Sequence, residues 1–391
     1  MPRASTAAVL AAVGLLAGCG GGFGFCDIRR EDCQHETFRA VMAVRDEPWD
    51  AWTEAPPMRV ITAAQYRSEL SARQTSSSAE PSKWDRPLQL LGLLSTDTTL
   101  GDSAINSQVT NTAAYYSPSQ RDVTIIDHGD VPDESRVTYV LAHELVHALQ
   151  DGFGELAVAV YGGDDLLFAR NAVIEGEAVL YANLVTLRVR GNAFDEIDWA
   201  GYFDRMLTSA EQQVATSSTR LHDALGVLRY PVGGRWVNDA YRASGAPAVS
   251  AAFREPPVST LSLLVGHDRP APTVASMCAP TLPDGYRSDG YDVVGPMGVF
   301  AFMATSAGST LAARDAAASW RGDRLQLYSG PGGSAVVWRI HVVSTSVRQA
   351  LLKVLTATPR VRLREVAGDV VIAAAEDPAV FGAWDPTVCA P

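Results

Sequence analysis

Between Val137 and Leu149 every residue other than His143, Glu144 and His147 is uncharged, and most are apolar. A helix apolar nearly all round is a buried one. Three ionisable groups buried there cost several kcal/mol unless something partners them. His143 and His147 are four residues apart, so at about 3.6 residues per turn both imidazoles lie on one face, one turn apart. That spacing grips a single metal ion, and zinc is the expected one. Glu144 adjoins the first histidine, where it can take the proton of a water attacking a carbonyl. With seven histidines in 391 residues, a HExxH arises by chance somewhere in such a chain only ~0.5% of the time, which excludes accident as its explanation.

Hydrolytic zinc keeps three protein ligands and an open position, so a third ligand is required. The metzincin continuation needs Gly at 150 and His at 153, where the chain has Gln150 and Phe153. A second helical pattern from about Asp164 to Arg190 offers two acids, Glu175 and Glu177, within Asn171–Ala178. Around Glu177, Val173, Leu180, Tyr181 and Leu184 also form an apolar stripe, so periodicity alone leaves both acids open.

HELVHALQ followed by EGEA, with Glu175 lying 28 residues after His147, resembles the gluzincin metallopeptidases, which are related in design to thermolysin. The resemblance implies zinc held by His143, His147 and Glu175, with Glu177 as the runner-up ligand, Glu144 as general base and a peptide or protein substrate. It also implies a zincin-like α+β fold, a mixed sheet with the HExxH helix and the glutamate helix. An acid that would orient a histidine is expected at position 179, which is Val179; Glu177 or Asn171 is left for that role. The oxyanion donor implied is Tyr230, with His222 as alternative and a packed core aromatic as the plain reading of Tyr230. A wider order of elements over residues 58–375 resembles a family of uncharacterised bacterial and archaeal HExxH proteins. That order includes the hairpin ending Thr124–Ile126, Arg229–Gly234 and Trp320–Arg324. His35, His128, His267 and His341 read as surface histidines.

The N-terminus bears on the compartment. Ala7–Ala17 is apolar or glycine after the single cation Arg3, a short secretory pattern too brief to span a bilayer. Leu16-Ala17-Gly18-Cys19 resembles the bacterial lipobox, implying a signal peptide over 1–18 and a lipid on Cys19. The segment 19–57 is then anchor, glycine-rich tether and N-terminal segment. Four further cysteines remain, an even set suited to an oxidising space. Cys26 with Cys33 and Cys278 with Cys389 is the preferred of three pairings. Residues 58–270 are expected to form the catalytic domain, and 271–391 a C-terminal region with a small α/β module. Its hairpins fall at Leu325–Tyr328 with Val336–Val343 and at Val361–Glu365 with Val370–Ala374.

The net charge of −12 repels phosphate backbones and argues against nucleic-acid partners. No GxSxG elbow, Walker sequence or Rossmann fingerprint occurs in a strand-turn-helix setting. The expectation is an exported, lipid-anchored zinc metallopeptidase facing the periplasm or cell surface. Its rival is a non-catalytic binding lipoprotein with a vestigial zinc site. Oligomeric state is not readable from the sequence.

Overall fold

The computed structural model describes residues 24–45, 54–77, 82–100, 109, 112–131, 133–152, 156, 163–266 and 273–389. The signal segment, Cys19 and His267 lie outside these residues. The architecture is α+β, with two separate sheets among the described residues.

The first sheet has three strands, β1 (Met58–Thr62), β2 (Ala114–Ser117) and β3 (Asp122–Asp127), in the order β1-β3-β2. The central strand, β3, pairs parallel with β1 and antiparallel with β2, which leaves β2 at the edge. Among the described residues this N-terminal part holds the helices α1 (Glu31–Arg45), α2 (Ala63–Ser77) and α3 (Asp85–Leu90). The apolar run Leu88–Leu94 ends α3 and forms the turns beyond it.

Next come the HExxH helix α4 (Glu134–Gly152) and the glutamate helix α5 (Asp164–Arg190). Asp133 starts α4 by accepting the free amides of Ser135 and Arg136 at 3.0 and 3.2 Å, as an N-cap side chain does. Gly191 ends α5 in the left-handed conformation, φ 69°, which costs glycine nothing. Helices α6 (Trp199–Thr216), α7 (Arg220–Val227), α8 (Arg229–Ser244), α9 (Ala246–Arg254) and α10 (Thr260–Val265) complete the helical layer.

Two glycines let α5 and α8 approach closely. A Cβ on Gly176 would overlap the carbonyl of Gly233, and one on Gly233 would overlap the carbonyl of Ala172. The glycine beside Glu175 in EGEA is therefore a packing requirement, met by the first glycine of the Gly233-Gly234 pair.

The second sheet is antiparallel in the order β4-β5-β6-β8-β7, built from β4 (Arg287–Asp292), β5 (Trp320–Gly330), β6 (Gly333–Val342), β7 (Val361–Val366) and β8 (Asp369–Ala375). Against it pack α11 (Gly295–Met303) and α13 (Thr345–Leu351), with α12 (Thr310–Ser319) packed on both of these helices. Strand β4 reads RSDGYD and carries no apolar alternation, so only its pairing with β5 makes it a strand. One hydrophobic core runs from Leu141 and Leu145 of α4 and Ala172 of α5 through Phe300 to Trp320, Val336 and Trp338 of the second sheet. Within it Asp323 accepts from the Val294 and Gly295 amides and from the indoles of Trp320 and Trp338, at 2.7 to 3.1 Å. Burial pushes that carboxyl up to about 6 despite the four donors. Its function is to hold the first turn of α11 to the sheet.

The cysteines pair as Cys26 with Cys33 and Cys278 with Cys389, their Cα atoms 5.8 and 5.7 Å apart. Such pairs suit an oxidising space. Cys26 exchanges hydrogen bonds with the Thr138 hydroxyl, tying the first disulfide loop to α4. Among the described residues, no helix is long and apolar enough to cross a membrane.

Candidate metal centre

His143 and His147 project from α4 toward Glu175 on α5. His143 Nε2 lies 3.0 Å from Glu175 Oε2 and 3.1 Å from His147 Nε2, and His147 Nε2 lies 3.4 Å from the same carboxylate oxygen. Ligands about 2.0 to 2.1 Å from a tetrahedral zinc stand roughly 3.3 Å apart. The three donors thus already occupy three corners of such a tetrahedron, and two imidazoles with one carboxylate are donors zinc accepts. His143, His147 and Glu175 form the only such group of three among the described residues.

Glu177, two residues on, faces elsewhere. Its Oε2 accepts from Gln150 Nε2 at 2.7 Å and its Oε1 pairs with Arg45 Nη2 at 2.9 Å, both side chains almost fully buried. Geometry therefore separates the two acids that periodicity leaves equivalent. His147 Nδ1 meets Gln150 Oε1 at 2.7 Å. Hence the histidine is oriented from position 150 of its own helix, and Val179 lines the cleft instead. Neither Gln150 nor Arg45 is singled out by the motifs. Gln150 stands three residues after His147, a spacing at which helical side chains meet. Arg45 leaves no local signal, being more than a hundred residues away.

Burial alone would raise the Glu175 carboxyl, but His143, His147 and Arg229 around it hold it well below the usual carboxylate range. Burial likewise disfavours the charged form of His147, and Glu175 reverses this, pushing its imidazole up to about 9. Arg229 Nη2 sits 3.2 Å from Glu175 Oε1, the oxygen turned away from the histidines.

Glu144 points into a cleft of about 240 Å³ lined also by Ala113, Ala114, Tyr139, His143 and Tyr230. Its Oε2 accepts the backbone amide of Tyr116, on the edge strand β2, at 2.9 Å. Tyr116 is anchored in turn through its hydroxyl to Asp151, at 2.7 Å.

Tyr230, at the start of α8, lies with its ring centroid 5.9 Å from that of His143. Its hydroxyl is 3.3 Å from Arg229 Nη2. Burial pushes the phenol up to about 12, so it stays a proton donor at neutral pH. His222 is exposed on α7, outside the cleft lining. His35 is exposed on α1, His128 bonds the Thr112 carbonyl from an exposed turn, and His341 pairs with Asp369. Asn171 is partly buried on α5, and His147 takes Gln150 as its partner instead.

No protein-family model, curated protein or solved structure matches the chain.

Proposed function

We propose that this chain is a zinc metallopeptidase of gluzincin design on a zincin-like fold, exported and lipid-anchored through Cys19. The observation that carries the reading is the convergence of His143, His147 and Glu175, with His143 and Glu144 lining one cleft. When bound, zinc supplies a more acidic water and a Lewis acid for the scissile carbonyl. Glu144 accepts the proton of the attacking water and returns it to the leaving amine. Tyr230 donates its hydroxyl to the carbonyl oxygen as negative charge develops there. Arg229 holds the outward oxygen of Glu175, so that the inward oxygen faces the two histidines. The edge of β2 bounds the cleft and fixes Glu144 through the Tyr116 amide.

Zinc content and peptide hydrolysis, measured on the full chain with and without chelator, test this. Wild type should bind one zinc and cleave a broad peptide library, and Glu144→Gln should keep the metal and lose at least about 10²-fold in rate. A Glu144→Gln variant as active as wild type would refute the base. A zinc-loaded wild type inert toward peptides would favour the binding lipoprotein. Mass spectrometry of the mature N-terminus tests the lipid on Cys19.

A further inference from the structure

Behind His147 a buried chain of side chains leads away from the cleft. His147 Nδ1 meets Gln150 Oε1 at 2.7 Å. Gln150 Nε2 donates to the Ile174 carbonyl at 2.9 Å and to Glu177 Oε2 at 2.7 Å. Glu177 Oε1 pairs with Arg45 Nη2 at 2.9 Å, and Arg45 also lies over the Tyr181 ring, 5.7 Å from its centroid. The chain joins α1, α4 and α5.

A side-chain amide is ambiguous in orientation until its neighbours decide it. Here they do. The Ile174 carbonyl and the Glu177 carboxylate only accept, so the NH₂ group must face both, and a flipped amide would set an oxygen against two acceptors. The oxygen is then left for His147, and because it cannot donate, Nδ1 must carry the proton. Nε2, which faces Glu175 and His143, is then the nitrogen that yields its proton to a metal.

We propose that Gln150 and Glu177 are positioning residues that together fix the His147 tautomer for metal binding, with Arg45 holding the Glu177 carboxylate in place. Arg45 Nη2 takes Glu177 Oε1 at 2.9 Å, which leaves Oε2 to accept from Gln150. The inference rests on the metal-binding part of the proposed function and is independent of peptide hydrolysis.

Two variants of the full chain probe it. In Glu177→Gln, Arg45 is a pure donor and claims the new amide's oxygen, so the new NH₂ is set against the Gln150 NH₂ and only the Ile174 carbonyl is left to hold that amide's orientation. Gln150→Met keeps the Arg45–Glu177 pair but removes the acceptor. Zinc affinity, read by competition with a chelator of known strength, should fall about 10- to 100-fold in each, as for lost outer partners of metal ligands. Because both act through one orientation, the double variant should bind no more than about threefold more weakly than the weaker single one. In zinc-loaded wild type, nitrogen-15 NMR should show a slowly exchanging Nδ1 proton on His147, and that protection should be lost in both variants.

Singles within about threefold of wild type would overturn the inference, as would losses that multiply in the double variant. Should Glu177→Gln fail to fold, Gln150→Met and its His147 resonance decide alone. A folded wild type that takes no zinc overturns this inference together with the proposed function, whereas unaffected variants of a zinc-binding wild type overturn this inference only.

Discussion

Tyr230 and Arg229 are neighbours in sequence and divide between substrate and ligand. The guanidinium bridges Glu175 and the Tyr230 hydroxyl, 3.2 and 3.3 Å away, and so aims the phenol along the cleft. If the phenol serves the oxyanion, Tyr230→Phe should lower kcat by about 10²-fold with little change in KM. Steady-state kinetics on one cleaved peptide would show this, and an unchanged kcat would leave Tyr230 a packing residue. Glu175→Ala should abolish stoichiometric zinc by elemental mass spectrometry, since two imidazoles alone leave the ligand set incomplete. Arg45→Met removes the guanidinium that pairs with the buried Glu177 carboxylate at 2.9 Å. It should cost about 3 kcal/mol or more in urea unfolding, the scale for breaking a buried pair by removing one partner.

At the scale of elements, the geometry of the candidate site depends on how closely α5 and α8 cross. Gly176 and Gly233 stand backbone to backbone there, and Gly234 adjoins Phe203 and Val179. Gly233→Ala should lower stability by about 3 kcal/mol or prevent folding, because backbone and not a movable side chain occupies the space. A second joint lies where α5 begins. The Asp164 amide donates to Asp292 Oδ1 at 2.8 Å, bringing the two carboxyls together beside β4. Burial and Asp292, with Asp323 behind, push the Asp164 carboxyl up to about 7, and burial raises Asp292 too. A folded pKa above the unfolded one gives stability that is full below about pH 4, the unfolded value, and lost as pH rises through about 7. Asp164→Asn should therefore flatten the stability profile between pH 5 and 8 in thermal unfolding, gaining most over wild type at the alkaline end.

Across the whole molecule, the core is continuous between the helical layer and the second sheet, so stability is shared by parts distant in sequence. The Cys278–Cys389 bond spans 111 residues, whereas Cys26–Cys33 spans 7. Chain entropy then assigns about 4 to 5 kcal/mol to the long loop and roughly 2 to 3 to the short one. Replacing Cys278 and Cys389 by serine should therefore lower the urea midpoint more than replacing Cys26 and Cys33. Arg339 on β6, salt-bridged to Asp369 of β8, packs against both sulfurs of the long loop and donates to the Thr387 carbonyl, so one strand side chain holds the C-terminal end to the sheet.

Much of the candidate site was written in local sequence. Two histidines one helical turn apart, a glutamate beside the first and an otherwise uncharged helix constrain each other through helix geometry and the cost of buried charge, which act over neighbouring residues. The hairpin of β2 and β3 and the strands β5 to β8 are legible for the same reason, since alternation and turn residues lie within a few positions. Strand β4 was not, because its residues carry no pattern of their own. Tertiary structure decided the rest. It chose Glu175 over Glu177, turned Gln150 toward His147, brought Arg45 from α1 to the back of the site and set Arg229 against the third acid. Each of these depends on which face of α5 meets α4, a matter of how helices pack at close range. No spacing along the chain encodes that directly.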